Sequence, residues 1–486
     1  MIATGAGEVD SSGAAAPAAR WARATFAILF AMNLLDYVDR YVLSAVLPQL
    51  SRPVEQGGLG LSNVQEGTLA TAFLVSYSFF GLLMGWAGDR FKRNWLLGAG
   101  VAVWGVATVA SGLARNYDDL WWARIWLGVG EATYGILAPT VLADLFPRQR
   151  RSFILSLFYL AMPVGAALGM QLGSTIATRY SWQAAFFVVG GPALAAALLA
   201  VVLPEPARGG SDLGVEGKPT GIDRVKPSGR DYLDLAVTSS YAYAVFGMAM
   251  YTFAIGGMSY WFLKFLVHTR GIGQERAGHI LGPITALAAI VGMLSGGWLA
   301  DRLAKTNPRA LFLVPGVAML AALPFVALGL FATSGPAIFA GIFLAETLMF
   351  VNTGPCNAII ANVVLPNMRA AAFAIAIFAI HALGDFWSPR LIGWMADEFG
   401  RADTMATAYG RFFAALGALP TQRPGEAPGR MENILAGLVV VIPAIAASGL
   451  VLIAGARHLP REMAMMLARL KVTEELTAED AEIAEK

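Results

Sequence analysis

The stretch GWAGDRFKR at residues 85–93 occurs again, in shortened form, as GWLADRL at residues 297–303. Each copy directly follows a long apolar block. A second pair of joints matches in the same way, because LFPRQR at 145–150 follows Pro139 and VLPNMR at 364–369 follows Pro355. Two chain halves with matching joints are typical of a membrane fold built from a structural repeat.

The composition of the chain supports a membrane protein. Hydrophobic residues make up 57% of the 486 residues, charged residues make up 14%, and the mean hydropathy is +0.59. A soluble domain carries about 25% charged residues. The apolar residues form continuous blocks of the length that a helix needs to cross a bilayer, and not the short alternating strands of a barrel. We predict twelve transmembrane helices within residues 24–50, 65–87, 95–114, 119–143, 152–178, 182–203, 235–268, 277–300, 310–332, 335–362, 369–397 and 432–456.

The predicted fold class is an all-α membrane protein made of two pseudo-symmetric six-helix bundles. The basic residues gather in joints on the side of the termini, which predicts that both termini are cytoplasmic. We expect a monomer in a bacterial plasma membrane. The predicted segments are a disordered cytoplasmic leader at 1–23, an N-terminal bundle at 24–203, a cytoplasmic linker at 204–234, a C-terminal bundle at 235–456 and a cytoplasmic tail at 457–486.

Other classes of protein lack their signatures in this sequence. The net charge of +2 is too small to indicate a nucleic-acid partner, and the single Cys356 excludes an internal disulfide. The four histidines are dispersed, so we expect no metal site and no cofactor other than a coupling proton. We find no metalloprotease, serine-hydrolase or nucleotide-binding motif, which leaves a membrane-embedded enzyme or a channel as a remote alternative to a transporter.

The repeated joint resembles the loop between helices two and three of the major facilitator superfamily, in which a Gly-x-x-x-Asp-Arg-x-x-Arg pattern occurs. RIWLGVG at 124–130 resembles a motif of its fourth helix, and Lys92 departs from the usual glycine of the loop. The resemblance covers nearly the whole chain and implies that the Asp and Arg residues latch neighbouring helix ends. The alternative is that the arginines only cap helices and follow the charge rule. Conformational-gate roles are implied for Gly85, Asp89, Arg90, Arg93, Gly297, Asp301 and Arg302.

The first and fourth predicted helices carry ionisable residues on single faces. Asp36 lies three residues before Asp39 and four before Arg40, so the three share one face. Arg124 and Glu131 are nearly two turns apart and also share a face. Charges inside a bilayer are costly, so they indicate a functional site. The family resemblance implies that helices one and four line a central cavity where these five residues meet.

The chemistry of these residues predicts a substrate and proton site. An arginine stays charged and can bind an anion with two hydrogen bonds, whereas a buried carboxyl can exchange a proton. We expect Arg40 to bind an anionic head and Asp39 and Glu131 to act as the proton switch, with Asp36 and Arg124 in the same coupling group. The alternative is a structural salt bridge between helices one and four that does not titrate in the working range.

The predicted helices of the second half carry fewer charges. Lys264 lies near a helix end and is expected to extend to the membrane interface. Glu346 and the nearby Asn352 are candidates for the cavity, with packing inside the bundle as the alternative for Glu346. Tyr251 and Trp261 are candidates for an apolar side of the cavity, with lipid contact or packing as the alternative.

HALGDFWSPRLIG at 381–393 and NLLDYVDRY at 33–41 resemble the Spinster branch of the superfamily. In the first string His381 and Asp385 can pair on one helix face, near a bend favoured by Pro389, and we assign Asp385 to the conformational gate. The resemblance implies transport of sphingolipid or lysophospholipid species. Residues 33–41 also resemble the organic anion–cation symporters. The expected substrate-binding residues are Asn33, Arg40, Tyr41, Tyr251, Trp261, Glu346, Asn352 and His381.

The sequence therefore predicts a secondary active transporter that works by alternating access and is coupled to protons. Its expected substrate is an anionic or zwitterionic lipid-like amphiphile, and its other partners are membrane lipids. A proton-coupled symporter of small organic anions is the alternative.

Overall fold

The structure, a computed structural model, describes residues 12–146, 154–155, 157–203, 205–206, 235, 237–364, 368–423, 430–466 and 468–469. Most of the predicted linker, the start of the leader and the end of the tail lie outside these ranges. The helices are α1 (Ser12–Leu50), α2 (Asn63–Arg90), α3 (Arg93–Leu113), α4 (Tyr117–Leu145), α5 (Ala161–Arg179), α6 (Trp182–Val202), α7 (Ser239–His268), α8 (Gln274–Ala304), α9 (Ala310–Phe331), α10 (Gly335–Phe350), α11 (Thr353–Val363), α12 (Arg369–Leu383), α13 (Ser388–Glu398), α14 (Ala402–Met405), α15 (Ala408–Ala415), α16 (Ile434–Val439) and α17 (Val441–Gly455). The strands are β1 (Thr421–Gln422) and β2 (Met431–Glu432).

Eleven segments of the described chain are long and apolar enough to cross a membrane. The remaining predicted span, residues 24–50, lies in α1, which has 39 residues, and this span carries three charged residues, Asp36, Asp39 and Arg40. The all-α membrane fold predicted from the sequence is confirmed. The joint before α16 adds a small antiparallel pairing of β1 with β2, which the sequence analysis did not predict.

The first helix is longer than the sequence predicts. α1 begins at Ser12 and so continues into the predicted leader. The segment 14–19 contains five alanines and one proline. Alanine is the strongest helix former, so this segment can extend a helix whose remainder is fixed by packing.

Three spans of the second half are broken. Residues 351–352 separate α10 from α11, residues 384–387 separate α12 from α13, and Val440 separates α16 from α17. Proline lacks a backbone N–H and is favoured in the first turn of a helix, where no partner is needed. Pro389 occupies this position in α13, and Pro443 follows the break before α17.

The helices form two halves that pack against each other. In the first half α1 packs on α5, and α3 packs on α4 and α6; in the second half α9 packs on α10 and α17. Between the halves α2 packs on α13 and α5 packs on α8. The site described below lies between these two bundles.

The backbones of the two halves approach closely at one end of the bundle. A side-chain carbon added to Gly67 would lie 2.6 Å from the carbonyl carbon of Pro389, and one added to Gly393 would lie 2.6 Å from that of Asn63. Only glycine allows helices α2 and α13 to lie this close. We call this the closed end, and it carries the described segments 51–62, 269–273, 399–423 and 430–433.

Candidate substrate cavity

A cavity of about 420 Å³ lies between the two halves. This volume is within the range of about 300–1,000 Å³ that is usual for small-molecule sites. Both halves contribute to its largely apolar wall. The aromatic and ionisable residues of the wall are Tyr37, Arg40, Tyr41, Phe73, Tyr77, Arg124, Tyr260, Phe350, His381 and Asp385.

Arg40 reaches the cavity from α1, and 27% of its side chain is exposed. Its Nη2 atom donates to Glu131 Oε2 at 2.8 Å and lies 3.4 Å from Asp36 Oδ2. Cation–π contacts stabilise a partly desolvated guanidinium. The rings around the guanidinium, with centres 4.9, 5.1 and 5.2 Å from Cζ, belong to Tyr37, Phe73 and Tyr77. Arg40 is therefore held firmly while part of it faces the cavity.

Asp39 and Arg124 form a deeper layer beside Arg40. Asp39 is fully buried, and its Oδ2 accepts hydrogen bonds from Trp104 Nε1 at 2.6 Å and from the Thr108 hydroxyl. Arg124 is 1% exposed and donates to Ser111 Oγ at 2.7 Å. The five residues predicted to meet, from helices one and four, are thus brought into one region of the first half.

The charges of this region do not balance when every group is ionised. Asp36, Asp39 and Glu131 supply three negative charges, whereas Arg40 and Arg124 supply two positive charges. Each of the three carboxyls also keeps one oxygen without a hydrogen-bond partner among the described residues. An unpaired charge in a desolvated site is unfavourable, so the cluster can take up one proton to reach neutrality.

His381 and Asp385 stand on the wall contributed by the second half. His381 Nδ1 lies 2.9 and 3.0 Å from the two carboxylate oxygens of Asp385, and the side chains are 31% and 11% exposed. The pair sits where α12 gives way to α13. The Thr71 hydroxyl of the first half donates to the backbone carbonyl of Phe386 at 2.8 Å, which ties this break to α2.

Two predicted binding residues lie behind the cavity wall. Asn33 is 4% exposed, and its Nδ2 donates to the backbone carbonyl of Phe158 at 2.9 Å. Trp261 is fully buried, and its Nε1 donates to the backbone carbonyl of Pro389 at 2.9 Å. Pro389 itself lines the cavity, so Trp261 supports the wall from behind.

The remaining predicted binding residues divide between the wall and the layer behind it. Tyr41 lines the cavity. Glu346 is 1% exposed and is hydrogen bonded to Thr285, which lines the cavity. Tyr251 and Asn352 are 7% and 0% exposed and do not belong to the wall.

Several aromatic residues of the site were not predicted from the sequence, among them Phe73 and Tyr77, and the predicted position of one lysine is wrong. Phe73 and Tyr77 surround Arg40, and their spacing of four residues on one predicted helix was the available signal. The predicted interfacial position of Lys264 is wrong, because its side chain is fully buried and bonded to Asn63 and Glu66. The buried Glu66 carboxylate compensates the charge of Lys264, so this side chain does not need to reach water at the interface.

The repeated joint lies at the end of the bundle opposite the closed end. Arg93 Nη1 donates to Asp144 Oδ2 at 2.6 Å, and the backbone N–H of Arg93 donates to Glu205 Oε1 at 3.0 Å. These contacts connect α3 with the ends of α4 and α6 inside the first half. They are compatible with a latch between helix ends.

The two copies of the joint share one local arrangement. The Arg90 guanidinium lies 4.3 Å from the centre of the Trp86 ring, and that of Arg302 lies 5.3 Å from the Trp298 ring. Asp301 is exposed, whereas the side chain of Asp89 lies outside the described part of the chain. A side-chain carbon added to either motif glycine, Gly85 or Gly297, would meet no atom within 4 Å. The gate role of these residues stays a prediction.

The two repeated six-helix halves around a shared cavity agree with a family comparison. The model of the Major Facilitator Superfamily matches residues 29–389. Fold and site together define a membrane transporter of this superfamily. Protein spinster homolog 1 of Xenopus laevis is 35% identical over 390 residues, which cover 76% of this chain and 72% of the relative. The Sphingosine-1-phosphate transporter SPNS2 of Danio rerio is 31% identical over 389 residues, which cover 75% and 74%. The chain belongs to the Spinster family.

Solved structures show the same fold. A bacterial homolog of the human lysosomal transporter Spinster, in an inward-facing and unoccupied conformation, aligns with a TM-score of 0.72 at 20% identity and covers 95% of this chain and 98% of that one. A D-xylose-proton symporter aligns with a TM-score of 0.64 at 17% identity and covers 88% and 96%.

Proposed function

We propose that this transporter works by alternating access and moves an amphiphile with an anionic or zwitterionic head. The observation that carries the proposal is the position of Arg40, which is 27% exposed on the cavity wall and held at 2.8 Å by Glu131. A guanidinium binds a phosphate or carboxylate with two parallel hydrogen bonds. Arg40 is therefore the proposed contact for the head, with Tyr41 beside it.

The other parts of the wall suit a hydrocarbon chain. Met293, Phe350 and Ile377 of the second half line the cavity, and burial of apolar surface would favour binding of an acyl or sphingoid chain. A relative that is 31% identical is named a sphingosine-1-phosphate transporter, which supports a lipid-like substrate for this chain.

The charge balance supports proton coupling. An anionic head at Arg40 displaces Glu131 or Asp36 from the guanidinium. A displaced buried carboxylate without a cation takes up a proton, because burial disfavours its charged form. The anion and the proton then bind together, so a proton gradient drives transport. Asp39 and Arg124, whose hydrogen bonds go to Trp104, Thr108 and Ser111, contribute to the total charge of this region.

The second half completes the site in this proposal. His381 shares the cavity with Arg40 and is held by Asp385 at 2.9 Å, so it can donate to the same head group from the opposite bundle. The wall is supported from behind by the remaining predicted residues, which are Glu346, Asn352, Tyr251, Trp261 and Asn33.

In this proposal both termini lie in the cytoplasm, so the closed end lies on the outer side of the membrane.

The test uses purified protein in detergent and in liposomes. Lysophosphatidylcholine and lysophosphatidate should raise the unfolding temperature of the wild type and of Arg179→Gln, whose side chain is 64% exposed, and should fail to do so for Arg40→Gln. The wild type should also show saturable counterflow of a labelled lysolipid that an imposed pH gradient accelerates. Protection and counterflow by a small dicarboxylate alone would establish the organic-anion alternative. Lysolipid protection that is equal in Arg40→Gln would refute the assigned head-group contact.

A further inference from the structure

A second cluster of buried charges lies at the closed end, beyond the cavity wall. Lys264 on α7 is fully buried, and its Nζ donates to Glu66 Oε2 at 2.5 Å and to Asn63 Oδ1 at 2.7 Å. Tyr260, one turn earlier, donates to the backbone carbonyl of Glu66 at 2.6 Å. Asn63 and Glu66 belong to α2 of the first half, so these bonds join the two halves.

Each member of the pair has further compensation within its own half. Lys264 Nζ lies 3.8 Å from Glu432 Oε2, which also belongs to the second half. Glu66 accepts a hydrogen bond from Ser51 Oγ at 2.8 Å and lies in the first turn of α2, where the positive end of the helix dipole favours a negative charge. Separation of Lys264 from Glu66 therefore leaves neither charge without support.

Asn63 Nδ2 of the first half donates to Glu432 Oε2 at 2.9 Å, but Glu432 is also bound to neighbours in its own half. His268 Nδ1 lies 2.5 Å from Glu432 Oε1, and Arg423 Nε lies 3.3 Å from Glu432 Oε2. Arg423 also pairs with Asp397 at the end of α13. When the halves separate, these contacts keep Glu432 next to Lys264.

We propose that Lys264 and Glu66 form a reversible ion pair that closes this end of the transporter, and that Lys264 transfers to Glu432 when the halves separate. The inference rests on the alternating access proposed above. Removing one partner from a buried ion pair is strongly unfavourable unless another takes its place. The Glu432 carboxylate, which belongs to the same half and lies 3.8 Å from Lys264, provides that replacement. An ion pair needed only for folding would not require a second partner.

The test measures the distance between the halves at the closed end. Spin labels are attached at Glu55→Cys in the loop after α1 and at Tyr409→Cys on α15, both of which are exposed; Cys356→Ala removes the native thiol. Glu66→Gln keeps oxygen and nitrogen atoms for its hydrogen bonds but removes the attraction to Lys264. We expect this change to raise the population of long distances at least about fivefold.

A matched control comes from an exposed pair that also joins the halves. Arg179 Nη2 lies 2.7 Å from Glu275 Oε1, with side chains 64% and 30% exposed. Exposed ion pairs contribute little, so Glu275→Gln should change the same population by less than about twofold. Lys264→Gln serves as the second variant and should shift the distances in the same direction as Glu66→Gln.

The outcomes separate this inference from the proposed function. Unchanged distances in both Glu66→Gln and Lys264→Gln overturn the inference. If the distances are unchanged and only the unfolding temperature falls, the pair has a purely structural role and the inference is overturned as well. Lysolipid counterflow by the wild type together with unchanged distances contradicts the ion pair alone. Shifted distances without any lysolipid flux support the ion pair and contradict the proposed substrate.

Discussion

The close contact between α2 and α13 makes a sharp prediction about Gly67→Ala. The added carbon would lie 2.6 Å from the Pro389 carbonyl carbon and 2.7 Å from Arg390 Cα, whereas ordinary contacts begin at 3.4 Å. The shortfall is about 0.8 Å against the first of these atoms. Both atoms belong to the backbone, so no side-chain rotation relieves the overlap and the two helices must move apart.

The size of the effect follows from two opposing terms. Alanine is favoured over glycine inside a helix by about 1 kcal/mol, which acts in every conformation of α2. Overpacking costs about 1–3 kcal/mol, and here it acts only while the halves are joined at the closed end. The equilibrium between closed and separated arrangements should therefore shift about 5- to 150-fold toward separation.

The assay is the spin-label distance between Glu55→Cys and Tyr409→Cys. Gly81→Ala is the control, because it lies on the same helix and its added carbon would meet only the Ile136 side chain, at an ordinary 3.8 Å. We expect longer distances and slower counterflow for Gly67→Ala and neither change for Gly81→Ala. Identical distance distributions in the two variants would refute the reasoning that this contact closes the end.

Three further predictions concern charged residues. Glu131→Gln removes one carboxylate of the cluster and should abolish the pH dependence of counterflow; a retained pH dependence would exclude Glu131 from the proton switch. Arg40→Lys keeps the charge but loses the two-pronged geometry, so lysolipid affinity measured by thermal shift should fall about 10- to 100-fold, as expected for a lost charge-assisted hydrogen bond; unchanged affinity would show that the head binds elsewhere. Burial opposes ionisation of Glu432, but Lys264 and its other basic neighbours hold the pKa of Glu432 well below its usual range. A carboxyl with a lowered pKa stabilises the folded state above its unfolded pKa of about 4.3 and loses this contribution as the pH falls below it. The unfolding temperature of the wild type should therefore fall more steeply than that of Glu432→Gln between about pH 5 and pH 3, and parallel curves would contradict the assignment.

The parts of the fold that the sequence predicts are those with local or repeated signals. Continuous apolar blocks locate the spans, and the two copies of the Asp-Arg joint divide the chain into halves. The approach of Arg40 to Glu131 was also expected, because helical spacing places the charges of each helix on one face and the family resemblance brings the two helices together.

The closed end was not predictable in the same way. Nothing in the residues around Lys264 indicates that Glu66 in the first turn of α2, 198 residues away in the sequence, lies opposite it. The contact depends on how the two bundles pack against each other, and the spacing of residues along the sequence carries no signal for that packing. Of the helix breaks in the second half, only the one that Pro389 marks was predicted from the sequence.

One helix borrows part of its end from the other half of the molecule. The Asp397 carboxylate of α13 accepts hydrogen bonds from the Val64 backbone N–H at 2.9 Å and from that of Asn63 at 3.2 Å. These amides begin α2, and the first amides of a helix have no partner of their own. When the two bundles separate at this end, these two amides become exposed to solvent. The rate at which they exchange hydrogen for deuterium therefore reports how often the molecule opens on this side, without any attached label.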